Sequence, residues 1–170
     1  MSTKTESVWD YPRPPALERT DRRLRVLWVD PAGDPSTPLV IADTTKAFRV
    51  LETSHPPTYY LPPDDVNTSL ISRSNARQTM CEWKGRAKYW DLTLPQQEQA
   101  IRGKVWTYES PTERFKDIKG FFSFYASPWT CMVDEEVVQP QAGDFYGGWR
   151  TGDITGGPKG MKGGPGTFGW

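Results

Sequence analysis

The residues best equipped for chemistry stand in one stretch, Leu51-Glu52-Thr53-Ser54-His55-Pro56-Pro57-Thr58-Tyr59-Tyr60-Leu61-Pro62. His55 is the single histidine of the chain. An imidazole has an unperturbed pKa of about 6.5, so it can take or give a proton near neutrality. The two prolines that follow restrict the backbone there to extended conformations. Glu52 shares a strand face with Phe48 and Val50, which sets its carboxylate against apolar surface, where lost hydration raises a carboxylate pKa and suits it to acid or base work. The plainer alternative is a strand-end carboxylate bonded to backbone or to an arginine. Tyr59 and Tyr60 alternate across a sheet, so one hydroxyl faces a pocket while the other ring fills the core or meets solvent. Spacing alone leaves open which.

A second stretch runs Cys81-Glu82-Trp83-Lys84-Gly85-Arg86-Ala87-Lys88-Tyr89-Trp90. Alternation before Gly85 puts Cys81 and Trp83 on one side, with Glu82 and Lys84 on the other. Gly85 permits a bulge or turn that re-aims Lys84 into a cavity. The competing reading makes Glu82, Lys84, Arg86 and Lys88 a solvated charged face. Cys81, between Met80 and Trp83, reads as a buried inert thiol rather than a nucleophile for His55, and Cys131 beside Met132 likewise. Both are expected to be reduced. With His55 they fall one short of a four-ligand zinc site, so no metal is expected.

Taken together, these residues compose a candidate site. His55 serves as proton shuttle, and Glu52 sets its tautomer or acts as a second base. Lys84 or a tyrosine hydroxyl, Tyr60 foremost, steadies developing negative charge. Tyr59, Trp83, Tyr89, Trp90, Trp106 and Tyr125 wall a substrate pocket. The activity that fits is acid–base chemistry on a small organic molecule by an isomerase, cyclase or lyase, with no metal and no cofactor. A non-catalytic ligand-binding module with an aromatic cage is the first alternative.

The elements that must position these groups are short strands. From Arg22 to Val138, segments rich in Val, Ile, Thr and aromatics are separated by Pro, Gly, Asn and Asp, the pattern of an all-β sheet or barrel. Strands are predicted at Leu24–Val29, Pro38–Ala42, Ala47–Glu52, Tyr59–Leu61, Leu70–Arg73, Thr79–Trp83, Ala87–Thr93, Lys104–Tyr108, Phe121–Tyr125 and Cys131–Val137. The first sets Leu24, Val26 and Trp28 inward. Only Pro111–Lys119 reads as helical: a proline suits the first turn, Glu113 complements the positive end, and Gly120 is a stop.

The chain has 170 residues, one ordinary domain, whose 13% aromatic content with eight Trp makes burial depend on large rings. Residues 1–21 form a Pro-rich extended arm pinned by Trp9, residues 22–140 the β domain, and residues 141–170 a second arm. Eleven of the 15 glycines lie between Gly143 and Gly169. Trp149, Phe168 and Trp170 in that tail argue for order, since a solvated linker gains nothing from large rings.

The 21 basic and 21 acidic residues balance, which argues against nucleic-acid binding. No run long enough for a membrane span and no secretory h-region can be read, so a cytoplasmic location is expected. A small-molecule partner is implied; the oligomeric state, a homodimer included, stays open. No glycine loop joins a strand to a helix, so a P-loop or Rossmann site is excluded.

The motifs Val-Trp-Asp-Tyr-Pro-Arg-Pro-Pro at 8–15, Ala-Asp-Thr-Thr-Lys-Ala-Phe-Arg-Val-Leu-Glu-Thr-Ser-His-Pro-Pro-Thr-Tyr-Tyr at 42–60, Cys-Glu-Trp-Lys-Gly at 81–85 and Gly-Asp-Phe-Tyr-Gly-Gly-Trp at 143–149 closely resemble the family called domain of unknown function 427, in its longer form. The resemblance implies a single small domain of the β-tent or Mss4-like kind, a twisted sheet with one short helix. Relatives of that kind include zinc-carrying binding domains and methionine sulfoxide reductases, but the zinc cysteines are missing here. The family's nucleotidyltransferase-like label implies nucleotidyl or phosphoryl transfer as a second alternative. Its metal would fall to Asp64 and Asp65.

Overall fold

The computed structural model describes residues 4–75, 78–81, 83–143, 146–164, 166, 167, 169 and 170. Glu82 of the expected charged face, Asp144 and Phe145 of the fourth motif and Phe168 of the tail lie outside them. The chain is all-β, built mainly of antiparallel sheets, and among the described residues these do not close into a barrel. Among the described residues no helix is long and apolar enough to cross a membrane.

Three sheets make the body. The largest runs Ser123–Phe124, Ile101–Tyr108, Gly85–Leu92, Ile71–Arg73, with Thr79–Cys81 also paired to Gly85–Leu92. The second runs Glu136–Val137, Thr130–Val133, Leu24–Trp28, Leu39–Thr44, and the third Ala16–Thr20, Ala47–Leu51, Thr58–Tyr60. Alternation sends one side of each strand inward: Leu24 and Val26 are buried, while Arg23 pairs with Asp43 outside. Their main core joins Leu24, Val26, Ile41, Tyr59, Leu92, Val105, Phe124 and Trp149. A second cluster, around Val50, Tyr60, Trp106, Tyr108, Phe115 and Ile118, backs the candidate site.

Three expectations need revision. Ala16–Thr20, within the supposed arm, is a strand paired residue for residue with Ala47–Leu51. Its sequence Ala-Leu-Glu-Arg-Thr carries too little β-branching to announce itself, and it is cross-strand pairing that fixes it. The predicted Cys131–Val137 strand is a hairpin, Thr130–Val133 with Glu136–Val137, turned at Asp134 with φ 53°. The helical segment is a pair of 3-10 turns over Glu113–Ile118, interrupted at Phe115. Phe115 and Ile118, three apart, are both buried, a spacing that a three-residue turn serves directly.

Both ends of the chain lie against this body. Glu6–Ser7 pairs in parallel with Ile154–Thr155, and Gln139–Pro140 pairs with Trp149–Arg150. Trp149 is fully buried, its ring 5.1 Å from Tyr59 and its indole N–H donated to the Phe124 carbonyl at 2.8 Å. Trp170 meets Trp9 edge-on at 5.2 Å, and Trp9 donates to the Gly160 carbonyl.

Candidate functional site

Glu52 leaves the Ala47–Leu51 strand into a tight turn that both chain ends hold. The Ser54 N–H donates to the Val8 carbonyl at 3.0 Å, and the Ser54 carbonyl accepts from Lys162 N–H at 2.8 Å. Ser54 sits at φ 73°, fully buried, with no partner for its hydroxyl. Serine held in the left-handed region stores strain, which persists only where surrounding contacts over-determine the backbone. The turn closes with the His55 N–H donated to the Glu52 carbonyl, 3.0 Å, so the two side chains project together. Nε2 of His55 lies 3.4 Å from Oε2 of Glu52.

The tautomer of His55 follows from its other side. Gln141 accepts the Gly148 N–H on Oε1 at 3.0 Å, which fixes its amide, and its Nε2 donates to the Lys162 carbonyl at 2.7 Å. The remaining hydrogen on that nitrogen points at His55 Nδ1, 3.3 Å away. Nδ1 is therefore the acceptor, and the ring proton sits on Nε2, facing Glu52. Burial, then the charges of Lys162, Lys84 and Arg13, lowers the His55 pKa to about 3. The pair with Glu52 is thus a neutral imidazole donating toward a carboxylate, not an ion pair, at neutral pH. Sequence reasoning assigned the proton shuttle to His55; its depressed pKa takes it out of that range.

Lys84 comes from the turn between Thr79–Cys81 and Gly85–Leu92. Gly85 takes φ 114°, and a Cβ there would stand 3.1 Å from the Ser110 carbonyl oxygen, so only glycine suits the position. Thr112 pins the turn, its N–H to the Lys84 carbonyl at 3.0 Å and its hydroxyl to the Trp83 carbonyl at 2.5 Å. The side chain enters the cavity rather than joining a solvated face. Burial opposes its charge, but Tyr60, Cys81 and Glu52 outweigh it, and the Lys84 pKa is raised. Its Nζ stands 5.7 Å from the Tyr108 ring centroid.

Tyr60 is the hub of this wall. Its hydroxyl accepts from the Trp106 indole at 3.3 Å and interacts with Lys84 and Tyr108. Burial, reinforced by Tyr60, raises the Tyr108 pKa, so that phenol stays protonated. Tyr125 packs edge-on against Trp106 at 5.2 Å, and the Tyr89 hydroxyl shares a hydrogen bond with Thr79 at 2.9 Å.

A cavity of about 310 Å³ takes in Glu52, His55, Tyr60, Trp83, Lys84, Tyr89, Trp106 and Tyr125 together. Two expected members are not there. Tyr59 points to the opposite face of its strand and packs on Trp149 in the main core. Trp90 is likewise turned away by alternation from Tyr89, donating its indole N–H to Thr107 at 2.9 Å. Sequence reasoning missed Tyr108, which shares a strand face with Trp106 and was readable from that spacing. It also missed Gln141, Tyr146 and Lys162, which line the cavity from the tail. Cys81, expected to be buried, is half-buried and lines the cavity as well; Cys131 is fully buried.

Asp64 and Asp65 do not line the cavity. Asp65 instead accepts the Thr44 hydroxyl at 2.6 Å. Among the described residues no group of three His, Cys, Asp or Glu side chains is placed to share a metal ion.

A family model described as domain of unknown function (DUF427) matches residues 16–139. Comparison with curated proteins gave no match.

Proposed function

We propose that this chain, which belongs to the domain of unknown function 427 family, is a small-molecule enzyme working by acid–base chemistry of the isomerase, cyclase or lyase type. The observation that carries the reading is the placement of a Glu52–His55 pair and a Lys84–Tyr60 pair in the walls of one aromatic cavity of about 310 Å³. That volume is at the small end for ligand pockets and suits a compact metabolite.

Glu52 is the base. Its carboxylate takes a proton from a carbon beside a carbonyl, and the bonding pair moves onto the carbonyl oxygen. The Tyr60 hydroxyl, with the Lys84 ammonium behind it, donates to that oxygen as its charge grows. Returning the proton at another carbon isomerises the substrate, and expelling a neighbouring leaving group makes the reaction a lyase. His55 stays neutral throughout, and its Nε2–H orients the Glu52 carboxylate.

The rings of Tyr60, Tyr89, Tyr108, Tyr125, Trp83 and Trp106 around the cavity also favour the second reading, a module that holds its ligand without turnover. Incubating a small-metabolite extract with wild type and with Glu52→Gln, followed by mass spectrometry, separates the two. An enzyme depletes one compound and yields an isomer or fragments only in the wild-type sample. Identical profiles, with a compound retained by both proteins, would establish the binding module instead.

A further inference from the structure

We infer that the cavity's ligand is a small, flat organic monocarboxylate whose carboxylate seats against Lys84. The inference rests on the proposed function for the site's location and adds the class of molecule. Among the described lining residues the charged side chains are two lysines, Lys84 and Lys162, against one carboxylate, Glu52. Among these described residues one positive charge is in excess, and a cavity walled by rings focuses its field on whatever enters.

The two cations differ in how they are occupied. Lys162 donates to the Trp170 carbonyl at 2.9 Å and stands over the Tyr146 ring at 5.5 Å. Lys84 has the Tyr60 hydroxyl and the Tyr108 ring face, and no carboxylate within ion-pair distance among the described residues. An ammonium has three donors, and the Tyr60 hydroxyl takes one of them. An arriving carboxylate takes the remaining donors in charge-assisted hydrogen bonds.

Charge and shape narrow the class further. A single excess charge matches a monoanion. A phosphate ester, carrying nearly twice that charge, is usually met by an Arg fork or a row of backbone N–H groups, and the described lining residues include no arginine. Trp83, Trp106, Tyr60 and Tyr108 present planar faces and edges, which a flat unsaturated body fills better than a branched one.

Benzoate, benzamide and benzylammonium share one ring and differ in charge, so calorimetric titration of the full chain with each reads the preference directly. The expected result is benzoate binding at least about tenfold tighter than the other two, with the gap erased in Lys84→Met and kept in Lys88→Met. Lys88 lies over Trp90, away from the cavity, at 4.7 Å. Equal or tighter binding of benzamide or benzylammonium, no benzoate binding at millimolar concentration, or a gap that survives in folded Lys84→Met would overturn the inference. Should Lys84→Met not fold, the wild-type ranking decides alone. The proposed chemistry fails separately: a benzoate preference without any turnover removes the enzyme and keeps the carboxylate site. Turnover of neutral carbonyl compounds without that preference does the reverse.

Discussion

His55 offers the sharpest physical prediction because its environment is so unlike water. Folded, it resists protonation until about pH 3, whereas unfolded it takes a proton near 6.5. The unfolded state therefore binds more protons throughout that window, so stability rises with pH there and falls on acidification. The penalty is absent well above the unfolded value and grows by about 1.4 kcal/mol per pH unit below it. From about pH 7.5 to 5 the loss due to His55 is about 2 kcal/mol, and by pH 3 roughly 4 to 5 kcal/mol. Urea denaturation of wild type and His55→Gln across this range isolates the effect, because carboxylates shared by both proteins cancel in the difference. The variant should lose about 2 kcal/mol less than wild type between about pH 7.5 and 5. Parallel curves, or ring NMR signals of this lone histidine titrating near 6.5, would refute the neutral buried imidazole and with it the Gln141-imposed tautomer.

Other outcomes follow from the packing. Trp149→Ala removes a fully buried ring from the main core and should cost about 3–5 kcal/mol in urea denaturation; a loss below about 1 kcal/mol would mean the tail is not packed as described. A Cβ at Gly147 would run into the Trp106 ring of the second cluster, so Gly147→Ala should weaken benzoate binding about tenfold or more and lower stability by about 1–3 kcal/mol. A thiol reagent applied to the native protein should label Cys81 alone, since Cys131 is fully buried and burial raises its pKa well above normal. Equal labelling of both would contradict that difference.

Much of the site was legible because it lies on strands with a two-residue period. Glu52 with Val50, and Trp106 with Tyr108, share faces by spacing alone, and the same alternation explains why Tyr59 and Trp90 belong to the other face. What was not legible depends on contacts distant in sequence. Gln141 meets His55 across 86 residues, and no local pattern singles out one glutamine among glycines and prolines. The His55 pKa was misjudged for a related reason: burial beneath the tail and the charge of Lys162 act on the imidazole only once the chain is folded. Ala16–Thr20 needed its partner strand to be seen, whereas the strongly aromatic and β-branched strands needed nothing else.

In the proposed reaction Glu52 removes a proton from carbon while Tyr60 and Lys84 hold the resulting charge. Proton NMR of small keto acids and unsaturated carboxylic acids incubated with the protein in heavy water measures that step without requiring net reaction. Wild type should erase a carbon-bound proton signal from at least one compound, an exchange abolished in Glu52→Gln and cut by about 100-fold or more in Tyr60→Phe. Deuterium uptake that persists unchanged in Glu52→Gln would contradict it.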